Sequence, residues 1–519
     1  MDTRNSHAVY WLKRDFRLLD NPALTAALAD HEAVTPLYVL EESTLQAPET
    51  SELHVHAITN ALRDLRERVR LHHGRVAVCV GEVVDTLDRM YAARPFTHLY
   101  SHEEIGVNRT FDRDKAVKRW CDAHEVRWTE LPQTGVFRAL RDRDRRARFW
   151  RQFTFDEIIP EPTPADIARL TIPPVWQTLF FPPERQLDFS DTPFELSEQQ
   201  RQFVQPVSET DAAATLNSFL YERGIAYRGG ISSPVTALVA GSRLSVHLAW
   251  GTLTGRMAYQ STQIRKEELK DDRSDTAKKW RSSLTAFLSR LHWRDHFIQR
   301  LESEVSMEFH PLTRAYEVLE YENDPEFLKR WIEGTTGFPM VDACIRCMRT
   351  SGFINFRMRA MLTSVACHTL HLHWKSLDHP MARMYTDYEP GIHLSQLQMQ
   401  AGVVGINSLR MYSPHKQIID QDPDAVFIKQ WIPELAPFSP KQIREHRTEP
   451  LGDYPGQPIE DWWKRSRIMR SKIWDIRAKE STKEEASETF EKHGSRKGPM
   501  RRRKKTPVKP ADSGASQES

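Results

Sequence analysis

The sequence predicts an α/β domain built on a doubly wound parallel sheet, joined by a long linker to an all-helical C-terminal domain. Three observations carry that reading. Short apolar runs alternate with helical spacing over the first third of the chain, a charged and Pro-rich stretch follows, and beyond about residue 205 strand-like alternation stops.

In order along the chain, AVYWL (8–12), VTPLYVL (34–40), RVAVCVG (75–81), THLYS (97–101) and VRWTEL (126–131) have the composition of buried strands. Between them Ile58, Leu62, Leu65 and Val69, then Val84, Leu87 and Tyr91, recur at helical spacing. Strands separated by helices imply a parallel sheet that binds ligands at its carboxyl ends. No G-x-G-x-x-G follows the first strand, which argues against a dinucleotide in the usual position. This α/β unit is placed at residues 1–139 and the linker at 140–205, where RALRDRDRRARFWRQF and a series of prolines suggest a segment wrapped over the surface. The helical domain spans 206–474, with helices expected over 211–223, 246–260, 277–303, 325–332, 339–350, 353–373 and 424–431. Residues 475–519 read as a basic, disordered tail containing RKGPMRRRKKTPVK, suited to a polyanion or simply to solubility.

The 519 residues are 39% hydrophobic and 28% charged, with a formal net charge of +2, as expected of two globular domains. No apolar run approaches the ~18 residues of a membrane span, and the N-terminus lacks a secretory pattern, so a cytoplasmic monomer is expected. The five cysteines argue against a disulfide scaffold; Cys344 and Cys347 lie in a helical pattern where they share a face. No metal is expected.

Ser242, Arg243, Leu244 and Ser245 precede an apolar helix, and their hydroxyls, guanidinium and free amides suit a pyrophosphate, although an ordinary helix cap would look the same. WLKRDFRLLDNPAL (11–24), GSRLSVHLAWGTLT (241–254), WIEGTTGFPMVDACIR (331–346), GFINFRMRAML (352–362), DYEPGIHLSQLQMQAG (387–402) and FIKQWIPEL (427–435) together resemble the DNA photolyase/cryptochrome family over roughly residues 8–470. The resemblance implies FAD as cofactor, held by Tyr227, Ser242, Arg243, Leu244, Ser245, Phe356, Arg359, Asp387, Glu389 and His393. Arg359 and Asp387 beside the ring would stabilise a reduced, anionic flavin, or else form a buried salt bridge. His393 stands where many members have an Asn facing the flavin. The resemblance further implies damaged DNA as partner and blue-light-driven DNA repair by a lyase, with a cryptochrome-type photoreceptor as the alternative.

The departures from the family are specific. Of the four residues that grip a cyclobutane dimer, Trp293 is kept, while Arg290, Phe356 and Met399 replace a Glu, an Asn and a Trp; the histidine pair of animal-type (6-4) enzymes is replaced by Asn355 and Phe356. In the electron-feeding tryptophan chain, Leu397 takes the flavin-proximal place, Trp374 the middle one and Tyr316 lies near the outer one, leaving Tyr385 and Tyr388 as other carriers. Catalysis is thus assigned to His393, Trp293, Met399 and Trp374, and DNA binding to Arg290, Trp293, Arg294, Arg357, Arg410 and Lys416. YEPGIHLSQLQMQAG resembles a bacterial branch that includes iron–sulfur photolyases, but the last cysteine is Cys367, so the cluster ligands are missing. Asn108 is kept and Arg109 replaces a folate-binding Glu, which leaves a second, antenna chromophore unassigned.

Overall fold

The computed structural model describes residues 7–140, 142–181 and 194–495. The strands are β1 (His7–Trp11), β2 (Ala33–Leu40), β3 (Ala77–Val80), β4 (His98–His102) and β5 (Arg127–Leu131), all parallel in the order β3-β2-β1-β4-β5. Central β1 pairs Val9 with Thr35 on one side and with Leu99 on the other, and is buried throughout, as its unbroken apolar run requires. Helices α1 (Pro22–Asp30) and α2 (Glu52–Leu71) cover one face with Leu24, Ile58 and Leu62 against Tyr10. Helices α3 (Val83–Ala93) and α4 (Asn108–Ala123) cover the other with Leu87, Met90 and Val117 against Val9 and Trp11.

The Pro-rich segment does more than wrap the surface. Leu170 pairs with Val34 as an isolated bridge beside β2, and Trp176 is 0% exposed with its indole N–H on the Met90 carbonyl (2.8 Å). Its charged opening forms α5 (Arg146–Phe155), whose Trp150 donates to Asp295 (2.9 Å). Apolar and aromatic residues between prolines can enter a core even where no regular element forms.

In the helical domain the expected helix over 246–260 is two helices. The first, α6 (Ser245–Trp250), ends at Gly251, which has φ +68° and carries no Cβ because one would lie 1.9 Å from the Arg14 carbonyl. The elements around the site are α7 (Asp275–Ser303), α8 (Pro339–Ser351), α9 (Phe356–His368), α10 (Trp374–Arg383) and α11 (Pro390–Ala401). The helix expected over 353–373 is shorter at both ends, because Gly352 (φ +68°) and the extended Asn355 precede it and Thr369 closes it. Cys344 and Cys347 are buried, free thiols on α8; burial pushes Cys347 up to about 12. The helix Trp462–Ala478 runs through residue 475, and α12 (Glu480–His493) follows, so folded structure extends well past the expected tail boundary. The basic run 496–509 lies outside the described residues.

The two domains are locked by the loop after β1. Arg14 donates to the Tyr388 carbonyl (3.2 Å) and lies over Trp250 (4.7 Å), and the Trp250 indole donates to the Thr386 carbonyl (2.8 Å). His54 of α2 bonds the Tyr385 carbonyl (2.8 Å) between the rings of Trp250 and Tyr388. Burial lowers His54 to about 4, and His247 and His368 likewise to about 4. Each stays neutral when folded but gains a proton near pH 6.5 when unfolded, so the unfolded state binds more protons between those values. Stability is therefore full above pH 6.5 and falls as pH drops from there to about 4. Urea midpoints across that range check this, and His54→Gln is expected to flatten the profile.

Candidate functional site

The centre of the helical domain gathers charged groups that helical spacing alone would not predict to meet. Arg359 on α9 donates from Nη2 to both carboxylate oxygens of Asp387 (3.0 Å each) and from Nε to the Ile354 carbonyl (2.9 Å). Its guanidinium lies 4.1 Å from the Tyr385 ring centroid. Arg243 approaches from the loop before α6 with φ +61° and stacks 3.7 Å from the Phe353 ring centroid. Burial lowers Arg243 to about 10, and Asp387 partly offsets that. Its Nη1 has no hydrogen-bond partner, nor do Asn355 Oδ1, Arg357 Nε, Tyr385 OH or Thr386 Oγ1 on the surrounding elements. Buried polar atoms left open this way around one ion pair are what a polar, anionic cofactor would satisfy.

The remaining expected cofactor residues divide. Tyr227 is buried against Phe219 and Phe287, and burial raises its hydroxyl to about 12 with Arg290 opposing. Leu244 is fully buried, Ser242 is half-buried, and Ser245 is exposed at the start of a helix of only six residues without a side-chain cap. Glu389 pairs with Arg294 (3.3 Å) rather than with Arg359. His393 points Nε2 at Asp378, 3.0 Å from Oδ1 and 3.1 Å from the backbone oxygen, with its ring T-shaped to Tyr388 (5.4 Å). Although burial raises Asp378, His393 and Lys375 bring it down to about 2. His393 is thus held against the Asp378 carboxylate, a contact that the sequence near His393 did not signal, since Asp378 lies fifteen positions back.

Of the expected lesion-facing residues, Trp293 is half-buried and stacks on Phe297 (5.7 Å), Met399 is half-buried, and Phe356 is 51% exposed. Arg290, Arg410 and Lys416 are exposed, with Lys416 loosely paired to Asp420 (3.8 Å), and Arg357 is half-buried. Arg294 leaves the expected DNA set, because its nitrogens are committed to Asp295 (2.9 Å), the Leu248 carbonyl (2.9 Å) and Glu389. Trp374 is 1% exposed beside His373, and Leu397 and Tyr316 are both in the core.

In the first domain the cavity at the carboxyl ends of β1, β2 and β4 is about 90 Å³. Arg113 spans it to Glu41 (3.0 Å) and Glu104 (2.6 Å), and Arg109 binds Glu49 (2.8 Å). Ligand pockets usually measure about 300–1,000 Å³, so a chromophore there would have to open these pairs.

Comparison with known proteins accords with this arrangement. Residues 8–154 match the family model described as DNA photolyase, and residues 287–474 match the FAD binding domain of DNA photolyase. A deoxyribodipyrimidine photo-lyase of Halobacterium salinarum is 27% identical, the alignment covering 82% of this chain and 89% of the relative. One from Vibrio cholerae is 25% identical over 89% of this chain and 98% of its own. The crystal structure of an archaeal photolyase from Sulfolobus tokodaii, described with two FAD molecules, superposes with a TM-score of 0.73 at 22% identity, covering 90% of this chain and 100% of that one. The chain belongs to the DNA photolyase/cryptochrome family, and its cofactor is FAD. Among the described residues no helix is long and apolar enough to cross a membrane.

Proposed function

We propose that this chain is a flavin-dependent, blue-light-driven DNA photolyase that repairs UV-induced pyrimidine lesions. The observation that carries the reading is its near full-length similarity to proteins named deoxyribodipyrimidine photo-lyase. When bound and reduced, FAD supplies the light-driven electron for lesion cleavage. Arg243, Arg359 and Asp387, with Phe353 against both arginines and Tyr227 from the upstream segment, would hold and orient it; the two arginines would favour its anionic state. Trp293, Met399 and Phe356 offer apolar surface for bases turned out of the stack. Arg290, Arg357, Arg410 and Lys416 meet phosphates, which makes binding salt-dependent. The protein works as a monomer on damaged DNA.

A photoreceptor reading rests on one specific feature, the replacement of lesion-gripping side chains by Arg290, Phe356 and Met399. The test separates the two. Reduced protein is illuminated with blue light on oligonucleotides carrying cyclobutane dimers or (6-4) products, and restored bases are counted. Light-dependent restoration of either lesion is expected, with Trp293→Ala weakening damaged-DNA binding about ten-fold at unchanged flavin content. No repair of either lesion by photoreducible holoprotein would give the function to the photoreceptor.

A further inference from the structure

The helix Trp462–Ala478 reads WWKRSRIMRSKIWDIRA, with Lys464, Arg465, Arg467, Arg470, Lys472 and Arg477 against the single acid Asp475. Met469, Ile473 and Ile476 bury its inner face in the core of the helical domain. Arg465 is taken by Glu322 (2.7 Å) and the Thr369 carbonyl (2.9 Å), Arg477 by the Gly405 (2.6 Å) and Asn407 carbonyls, and Lys464 by Asp461. Arg467, Arg470 and Lys472 are exposed and have no ion pair or side-chain hydrogen bond among the described residues. Of the acids on the following helix, Glu480 pairs with Lys483 (2.9 Å) and Glu485 takes the Arg314 and Ala315 amides.

Trp463 and Trp474, 42% and 46% exposed, are the only exposed tryptophans among the described residues. At 3.6 residues per turn, positions 463, 467, 470 and 474 fall within an arc of about 60° and span about 16 Å. Helix geometry therefore sets Trp463, Arg467, Arg470 and Trp474 in one stripe, an indole at each end and two open guanidinium groups between. Asp475 lies about 100° round the helix from Trp474. Two indoles left in water forgo hydrophobic burial that a partner would recover.

We propose that this stripe is a second nucleic-acid surface, which binds a single strand independently of the flavin and of any lesion. Arg467 and Arg470 meet phosphates, and unpaired bases stack on Trp463 and Trp474. A duplex offers the arginines its phosphates but keeps its bases stacked inside, out of reach of the indoles. A membrane fits less well, since an interfacial helix keeps cations and apolar residues on different faces, whereas here they share one. The helix meets α9 at Thr369, whose hydroxyl bonds Ser466 (2.8 Å), about 20 Å along α9 from Phe356. The surface thus uses none of the residues expected to hold flavin or to face a lesion.

The FAD-loaded, full-length protein is titrated in the dark with a fluorescent, undamaged oligothymidylate, single-stranded or annealed to its complement, at several salt concentrations. Trp463→Ala with Trp474→Ala is expected to weaken single-strand binding about ten-fold, with duplex binding and the salt slope unchanged. Arg467→Gln with Arg470→Gln should reduce the slope of log affinity against log salt by about 1.4, the share of two phosphates on a single strand. All four side chains are exposed, so flavin content and melting midpoint should match wild type, which separates a lost contact from a lost fold. Should a double variant melt early, Trp474→Ala and Arg470→Gln alone are read in the same way. Undamaged DNA in the dark keeps the result apart from repair, so a failed repair assay leaves it standing. Unchanged single-strand affinity and salt slope in both variants would overturn the surface. Equal losses on single strand and duplex in the tryptophan variant would do so too, as would its losing phosphatidylserine vesicles that wild type binds while it keeps the single strand.

Discussion

Replacing Asp387 with Ala is expected to yield a folded but nearly colourless protein. Arg359 and Arg243 both lie at the Phe353 ring, 5.9 and 3.7 Å from its centroid, and Asp387 is the acid that both guanidinium groups feel. Removing it leaves two half-buried like charges at one ring and lets Arg359 turn away from the place where the cofactor would sit. Breaking a buried pair typically costs about 3–5 kcal/mol, and about 1.4 kcal/mol is a factor of ten in affinity. A loss of FAD occupancy of at least about a hundred-fold under dilute conditions follows. Flavin absorbance per chain after gel filtration measures it. Asp387→Asn, which keeps an acceptor without the charge, should fall between. A variant that stays yellow and stable would move the flavin away from Arg359 and Asp387.

The second large effect is on the joint between domains. Asp20 is fully buried, adopts φ +55°, and accepts from Arg256 Nη2 (2.5 Å) and from Thr254 Oγ1 (2.6 Å). It also takes the backbone N–H of Ile159 (3.2 Å) and gives its own to the Ile159 carbonyl (2.9 Å). One side chain thus ties the first α/β loop, the segment before the 255–268 helix and the linker. Asp20→Ala strands the 7%-exposed Arg256 and puts Ala in a left-handed conformation, a combined loss of about 3–5 kcal/mol. A lowered urea midpoint and faster proteolysis near residue 159 are the expected signs. Asp20→Asn, which tolerates positive φ, should lose less. An unchanged midpoint would mean that the joint is held by the Arg14, Trp250 and His54 contacts without Asp20.

Much of this was legible before any coordinates. The strand positions, their parallel pairing and the long helices α7 and α8 follow from short apolar runs and a period of 3.6 residues, which local sequence displays directly; the order β3-β2-β1-β4-β5 does not. The Arg359–Asp387 pair was named from motif residues and is found in contact. The helix limit at Gly251 was missed, because what forbids a side chain there is a distant partner, the Arg14 carbonyl; the break at Gly352 was anticipated. Nothing near Arg294 in the chain says that Glu389 and the Leu248 carbonyl take its nitrogens, and nothing near His393 points to Asp378. The same holds for Trp176, which sits in a Pro-rich stretch yet fills the first domain's core. The sequence by itself determined the α/β-plus-helical class, the parallel sheet, the family and the pairing of Arg359 with Asp387, since these rest on residue type and spacing. Only the tertiary structure decided which cations are engaged, as Arg294 is, and which are exposed, as Arg290 and Arg410 are. A long charged side chain selects its partner through space, and desolvation at that place, not its neighbours in sequence, sets what leaving it unpaired costs.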